Sequence, residues 1–417
     1  MLRLTICDDE RRRRERLKSD LESVASIRSS FEVSYMLPGA FRDEMQLLRA
    51  RRREARGRKS PGGERQSVFD STDLLLVDFD LMEYASYAAD GEGVAYLARC
   101  YSRCGYVIEI NEFGGNTFDL TLEDHPRSFA DLNLGGDQLT NPGLWSAQSR
   151  GYRPWMWPNL SKVVADFRKC VADVLENPNA KILEFFQLEK SDLSSFSRPA
   201  IELLLGTRSL PEKATFASVV KTSELGLLRS DRPMNDETIA AVAAARVAKW
   251  LGTAVLARQD VLVDAPHLVD RLPSLMKGDL TRSELDKCAA FDEASLSDVL
   301  RLNSIKQYKF ARPHWLSRPT WYWSRIRRDE TISEIKSPFD AATLKYRFCE
   351  DVSRFLPVDA CREVILESGT PYRTRYVLDQ RSDFGRQFTL RFLSKPGRID
   401  PRDLTKVDYQ PAYRVLA

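Results

Sequence analysis

The chain has no lysine between Lys59 and Lys162, only three histidines in 417 residues, and no cysteine pair at CxxC spacing. Each absence excludes a class of site. Its seven cysteines (Cys7, Cys100, Cys104, Cys170, Cys288, Cys349 and Cys361) are scattered and odd in number, with no histidine at ligand spacing, which excludes a disulfide scaffold and a zinc knuckle. His267 and His314 are isolated in the sequence, with no serine or cysteine nucleophile at a recognisable spacing, so no hydrolase triad is expected. Neither a Gly-x-Gly-x-x-Gly turn nor a P-loop occurs. The most apolar stretch, Ile239 to Ala257, is broken by Arg246 and Lys249 and reads as a packed helix rather than a membrane span. The N-terminus puts a six-residue apolar stretch before its charges, the reverse of a secretory leader. A cytoplasmic location without a membrane partner is expected.

What is present is a core-forming composition, 43% hydrophobic and 10% aromatic with a mean hydropathy of -0.39, in a chain long enough for two or three domains. The formal charge of +3 hides a division. Residues 1–68 carry 17 basic and 11 acidic side chains, whereas residues 69–137 carry 3 and 14. The lysine-free stretch is thus mostly the acidic one.

Over the first 115 residues, strand and helix patterns alternate. LRLTIC (Leu2 to Cys7) reads as a buried strand that ends in Asp8-Asp9-Glu10, followed by a helix over Arg11 to Val24 with Leu17, Leu21 and Val24 on one face. FEVSYML (Phe31 to Leu37) is a second strand, and Phe41 to Arg49 has helical spacing. DLLLVDFDL (Asp73 to Leu81) is a continuous apolar run of the kind buried on both faces of a parallel sheet. A helix over Gly93 to Ser102 and a strand YVIEI (Tyr106 to Ile110) complete the pattern. The order predicts an α/β, doubly wound parallel sheet with its ligand site at the carboxyl ends of the strands. Asp8, Asp9, Asp78 and Asp80 fall at those ends, and converging carboxylates repel one another unless a divalent cation or a proton neutralises them. An Mg²⁺ site is the direct expectation.

These residues resemble the receiver domain of two-component response regulators: the acidic pair in ICDDE, the strand DLLLVDFDL with Asp78 in the phospho-acceptor position, and the helix GEGVAYLARCYS after it. The resemblance covers roughly residues 1–112. It implies a receiver or flavodoxin-like fold, Asp8 and Asp9 helping to bind Mg²⁺, Asp78 taking the phosphoryl group, and the backbone at Asp80 completing the metal shell. A histidine kinase or another partner protein would act on it. Two family positions differ. Asn111 stands where receivers end the fourth strand in a hydroxyl residue, and the lysine that ends the fifth strand has no counterpart, leaving His125 (followed by Pro126) or Arg127 as stand-ins. The expectation is an atypical receiver over residues 1–137. The alternative is a doubly wound fold whose carboxylates are incidental.

Residues 49–67 form a basic insertion between the second helix and third strand, either a solvated excursion or a nucleic-acid arm. Residues 138–160 hold Trp145, Trp155 and Trp157 among prolines and glycines and read as a connector that docks on a surface. A helical region, 161–302, follows, with Asn159 capping a helix over Leu160 to Glu176 and Asp236 capping the alanine-rich helix. Thr281-x-x-Glu284 and Ser295-x-x-Asp298 resemble the starts of two short helices. Residues 303–417 read as α+β, with a helix around Ala341 to Phe355 and strands TRYVLD and RQFTLRFL. Within them, residues 306–328 combine seven basic and six aromatic side chains with no acid. Lys306, Lys309, Arg312, Arg318, Arg325, Arg327 and Arg328 suit phosphates, and Trp315, Trp321 and Trp323 suit base stacking, unless the rings are core.

The leading expectation is a prokaryotic-type regulatory protein, not itself an enzyme, in which an atypical receiver controls or docks an output region. A nucleic-acid-binding effector that takes DNA or RNA on residues 306–328 is the alternative. Mg²⁺-dependent phosphoester chemistry at the strand-end aspartates is a third, set back by the want of a cation for the phosphate.

Overall fold

The computed structural model describes residues 1–55, 66–81, 90–111, 128–146, 153–196, 198–205, 210–221, 235–332, 345–350, 352–365 and 374–378. The chain divides into two compact units, one of residues 1–145, 160–190 and 198–251, the other of 146–159, 191–197 and 252 onward.

The first unit is built on five parallel strands, β1 (Leu2–Cys7), β2 (Phe31–Tyr35), β3 (Leu74–Asp78), β4 (Tyr106–Asn111) and β5 (Leu132–Gly135), in the order β2-β1-β3-β4-β5. This is a flavodoxin-like doubly wound sheet. The central strand β3 is buried along its whole length, as its unbroken apolar sequence requires. β1 leads through α1 (Arg11–Ser23) and α2 (Ala25–Ser30) to β2 on one side, and α3 (Pro38–Ala55) returns the chain to β3 on the other. α4 (Gly91–Tyr101) then joins β3 to β4 and packs beside α3. The order reverses between β1 and β3, which leaves a crevice at their carboxyl ends.

α3 extends past the expected Phe41 to Arg49 at both ends. Pro38 fits a first helical turn, and the alanines and arginines at 50–55 are strong helix formers. The start of the basic insertion is therefore helix. Arg51 pairs with Asp70 at 2.7 Å and Arg52 lies over the Tyr96 ring; residues 56–65 lie outside the described residues.

After the sheet come α5 (Pro142–Trp145), α6 (Leu160–Glu176), α7 (Ile182–Phe185), α8 (Arg198–Leu205), α9 (Phe216–Lys221) and α10 (Asp236–Trp250). α6 has the expected ends and buries Leu160, Val164, Cys170 and Val174. α10 is capped one residue earlier than expected, by Asn235, whose side chain accepts from the Thr238 N–H at 2.8 Å. Residues 236–258 contain an 18-residue window of mean hydropathy 1.5, long and apolar enough to cross a membrane, yet Ala240 to Ala245, Val247 and Trp250 are buried against α6 and α9 as in a protein core. Polar contacts from α6 and α10 reach the amino ends of the strands: Arg168 to Asp73 just before β3, Lys249 to the Ser128 and Ala130 carbonyls before β5.

The second unit contains β6 (Leu262–Asp264), α11 (Ala265–Arg271), α12 (Arg282–Asp286), α13 (Glu293–Val299), β7 (Thr320–Tyr322), α14 (Trp323–Ile326), β8 (Tyr346–Cys349), β9 (Arg354–Pro357), β10 (Cys361–Ile365) and β11 (Thr374–Leu378). β6 pairs with β7, and the last four strands form a sheet in the order β10-β11-β8-β9. Thr281 caps α12 as expected, but α13 is capped by Asp292, three residues before Ser295. The helix expected around residues 341–355 is corrected: its described part is the antiparallel pair β8 and β9, with Phe348 opposite Phe355. Ser353 turns the chain with a φ of 48°, and the two rings meet in the core. Strand TRYVLD is β11, while RQFTLRFL lies outside the described residues.

Candidate functional site

The parallel register sets Cys7 beside Val77, so that the residues which follow, Asp8 and Asp78, leave the sheet side by side. With Asp9 they form a buried acidic group in which one carboxylate oxygen from each lies within 4.8 Å of the others. Asp80, two residues beyond β3, is exposed, and the converging group comprises the other three.

The loop carrying Asp8 and Asp9 is fixed from beneath. Arg14, itself buried, donates from Nη1 to the carbonyls of Asp8 at 2.6 Å and Asp9 at 2.9 Å. The Glu10 N–H donates to Asp8 Oδ1 at 2.8 Å. Asp8 Oδ2 is buried and accepts no hydrogen bond among the described residues. Burial pushes the Asp8 carboxyl up to about 6, against the opposing pull of Arg13 and the Glu10 N–H.

Arg13 enters the group from the first turn of α1. Its Nη1 donates to Asp78 Oδ2, its Nε lies 3.7 Å from Asp8 Oδ2, and its Nη2 lies 3.6 Å from Glu10 Oε2. From the other side the amino end of α4 closes on β3. The Gly91 N–H donates to the Phe79 carbonyl at 2.9 Å, and a Cβ at Gly91 would stand 2.6 Å from the Asp78 carbonyl oxygen and 2.9 Å from Glu109 Oε1. Asp90 caps α4, accepting from Gly93 at 2.7 Å. Glu109, buried on β4, accepts from the Asn133 amide of β5 at 2.5 Å.

Hard carboxylate oxygens around an orphaned buried acceptor fit a small divalent cation. The three carboxylates stand close enough that a divalent ion would relieve their mutual repulsion. No protein-family model matches this chain. No curated protein and no solved structure matches it either.

Of the other sequence-derived positions, Asn111 is the last residue of β4. His125 and Arg127 lie outside the described residues; both precede β5 in the chain, whereas the strand's carboxyl end is Gly135 followed by Gly136. Arg13 was the residue missed in the sequence. The signal for it was available: α1 opens on four consecutive arginines with no acid in its first turn, the wrong charge for a helix amino end unless carboxylates stand opposite.

In the second unit, residues 306–328 supply much of the core. Trp315, Trp321 and Tyr322 are buried, and Trp323 is half-buried under the Arg271 guanidinium, so these rings are packed rather than presented as stacking faces. Arg318 is buried, donating to Asp264 Oδ2 at 3.2 Å and to the Trp155 carbonyl. Lys309 pairs with Glu293, Arg325 lies over Tyr322 and Arg328 lies 3.7 Å from Asp192. Arg312 is half-buried; Lys306 and Arg327 are exposed. His267, isolated in the sequence, is held in space between Asp264 Oδ1 at 2.5 Å and Glu350 Oε1 at 2.9 Å, with Trp155 Nε1 donating to Asp264 Oδ2 at 2.5 Å. Burial opposes ionisation of Asp264, but His267, Arg318 and Trp155 outweigh it and hold the carboxyl well below the usual range.

Proposed function

We propose that residues 1–137 act as an atypical receiver-like regulatory domain, with Asp78 as phospho-acceptor and Mg²⁺ held by Asp8, Asp9 and Asp78, controlling or docking the rest of the chain. The observation that carries this reading is the buried acidic group at the point where a parallel β2-β1-β3-β4-β5 sheet reverses its strand order. A bound divalent ion would supply charge neutralisation for the incoming phosphate. An Asp78 carboxylate oxygen would attack phosphorus as the bond to the leaving group breaks, the leaving group taking the electron pair and Asp78 becoming an acylphosphate. Arg14 would hold the Asp8–Asp9 loop in place throughout.

The test is Mg²⁺ with beryllofluoride, and separately with a small acyl-phosphate donor, on the full chain and on Asp78→Asn. The expected result is a thermal stabilisation and a mass gain of one phosphoryl group, both lost in the variant. An equal response from Asp78→Asn, or none from either protein, refutes the reading. A second reading, metal-assisted phosphoester hydrolysis at the same aspartates, gains from Arg13, which supplies the cation that such chemistry needs. Catalytic turnover of a phosphoester, rather than a single stoichiometric mass gain, would favour it.

A further inference from the structure

We propose that Arg13 is the counter-cation of this site and acts in opposite directions on its two ligands, opposing a divalent ion bound alone and supporting a phosphoryl group on Asp78. The second half rests on the receiver-like reading; the first does not.

α1 opens on four consecutive arginines. Cations at a helix amino end oppose the macrodipole. Arg11 turns outward to Glu15 at 3.0 Å, and Arg14 is compensated by the two carbonyls beneath the acidic loop. Arg13 turns inward, where the fork of its guanidinium spans Asp78, Asp8 and Glu10. Its side chain is one-fifth exposed, and it reaches the buried carboxylates from the solvent edge on a flexible stem.

The fifth strand cannot provide this charge, because it ends in Gly135-Gly136. The charge comes instead from the first turn of α1, which delivers Arg13 to Asp78.

A guanidinium and a metal ion are like charges drawn to the same Asp78 and Asp8 oxygens. Entry of the ion therefore requires Arg13 to withdraw, and the contact lowers metal affinity. A phosphoryl group or its trifluoroberyllate mimic adds anionic acceptors beyond Asp78, where a planar five-donor fork pairs bidentately without giving up the site. The guanidinium that competed with the ion then stands against the newly added negative charge. A residue that merely packed the loop would weaken both ligands alike.

The experiment uses the full chain as wild type, Arg13→Ala, Arg13→Lys and Asp78→Asn. Mg²⁺ alone is titrated by calorimetry, and beryllofluoride is titrated at saturating Mg²⁺ by thermal shift. Arg13→Ala is expected to bind Mg²⁺ about tenfold more tightly and beryllofluoride about tenfold more weakly, with Arg13→Lys close to wild type for Mg²⁺ and between wild type and Arg13→Ala for beryllofluoride, because it keeps the charge and loses the bidentate fork. Arg13→Gln, which keeps the length and drops the charge, replaces Arg13→Ala if circular dichroism shows that the latter is unfolded. An unchanged Mg²⁺ affinity, or both affinities moving in the same direction, overturns the proposal. If wild type ignores beryllofluoride while Arg13→Ala still tightens Mg²⁺, the receiver reading fails and Arg13 stands as the counter-cation of a metal site alone.

Discussion

Asp8 carries the clearest residue-scale consequence. Its folded carboxyl is raised to about 6 from an ordinary value of 3.8, chiefly by burial. A group whose value rises on folding contributes stability when protonated. That contribution is fully present below pH about 4 and is lost as pH climbs through about 6. In the metal-free protein the Asp8→Asn substitution should therefore remove the loss, stabilising the first unit above pH 6 by roughly 1–3 kcal/mol and leaving it nearly unchanged at pH 4. Thermal unfolding across pH 4–8 measures this, and a stability gap that does not depend on pH would contradict it. The Asp8, Asp9 and Asp78 positions were legible in the sequence because each ends or follows an apolar strand. Arg13 was less so, because its direction off α1 depends on three-dimensional placement.

At the scale of elements, the site depends on how closely α4 approaches β3. Gly91 permits that approach, since any Cβ there would meet the Asp78 carbonyl oxygen at 2.6 Å and the Phe79 Cα at 2.8 Å. Backbone cannot move aside as a flexible side chain can. Gly91→Ala is expected to cost about 1–3 kcal/mol and to weaken Mg²⁺ binding by shifting the end of β3. Calorimetric titration and urea unfolding of the variant check both effects. The β1 boundaries and the α6 ends followed from periodicity and turn residues, whereas β2 stops at Tyr35, two residues short of the expected Leu37, and β4 runs one residue past Ile110 to Asn111. The region around residues 345–357 did not: its apolar spacing suits a helix, and the pairing of Phe348 with Phe355 in the core decides for strands. Aromatic content in residues 306–328 was likewise ambiguous. Their burial, not their composition, makes Trp315 and Trp321 core residues.

At the scale of the whole molecule, Asp8 in the first unit and Asp264 in the second contribute oppositely to stability as pH falls. Asp264 is fully buried between His267, Arg318 and Trp155, and its carboxyl is held well below 3.8. A depressed carboxylate contributes stability above its unfolded value, and that contribution is lost as pH falls through the folded value. Acidification below pH about 4 should thus weaken the second unit, over the range in which protonated Asp8 supports the first. Asp264→Asn should cost the second unit about 3–5 kcal/mol at pH 7, because it leaves Arg318 and His267 without their shared acid. Scanning calorimetry of wild type and variant would decide it; a second unit unaffected at pH 7 would show that Asp264 does not anchor the network. The sequence by itself determined the β-α alternation, the acidic strand ends and the missing fifth-strand lysine, because periodicity and residue type are local properties. Only the tertiary structure decided that Arg13 meets Asp78, that His267 beside Asp264 meets Glu350 from 83 residues away, and that Trp315 and Trp321 are core. Those contacts follow from strand register and long-range packing, which no local window of sequence contains.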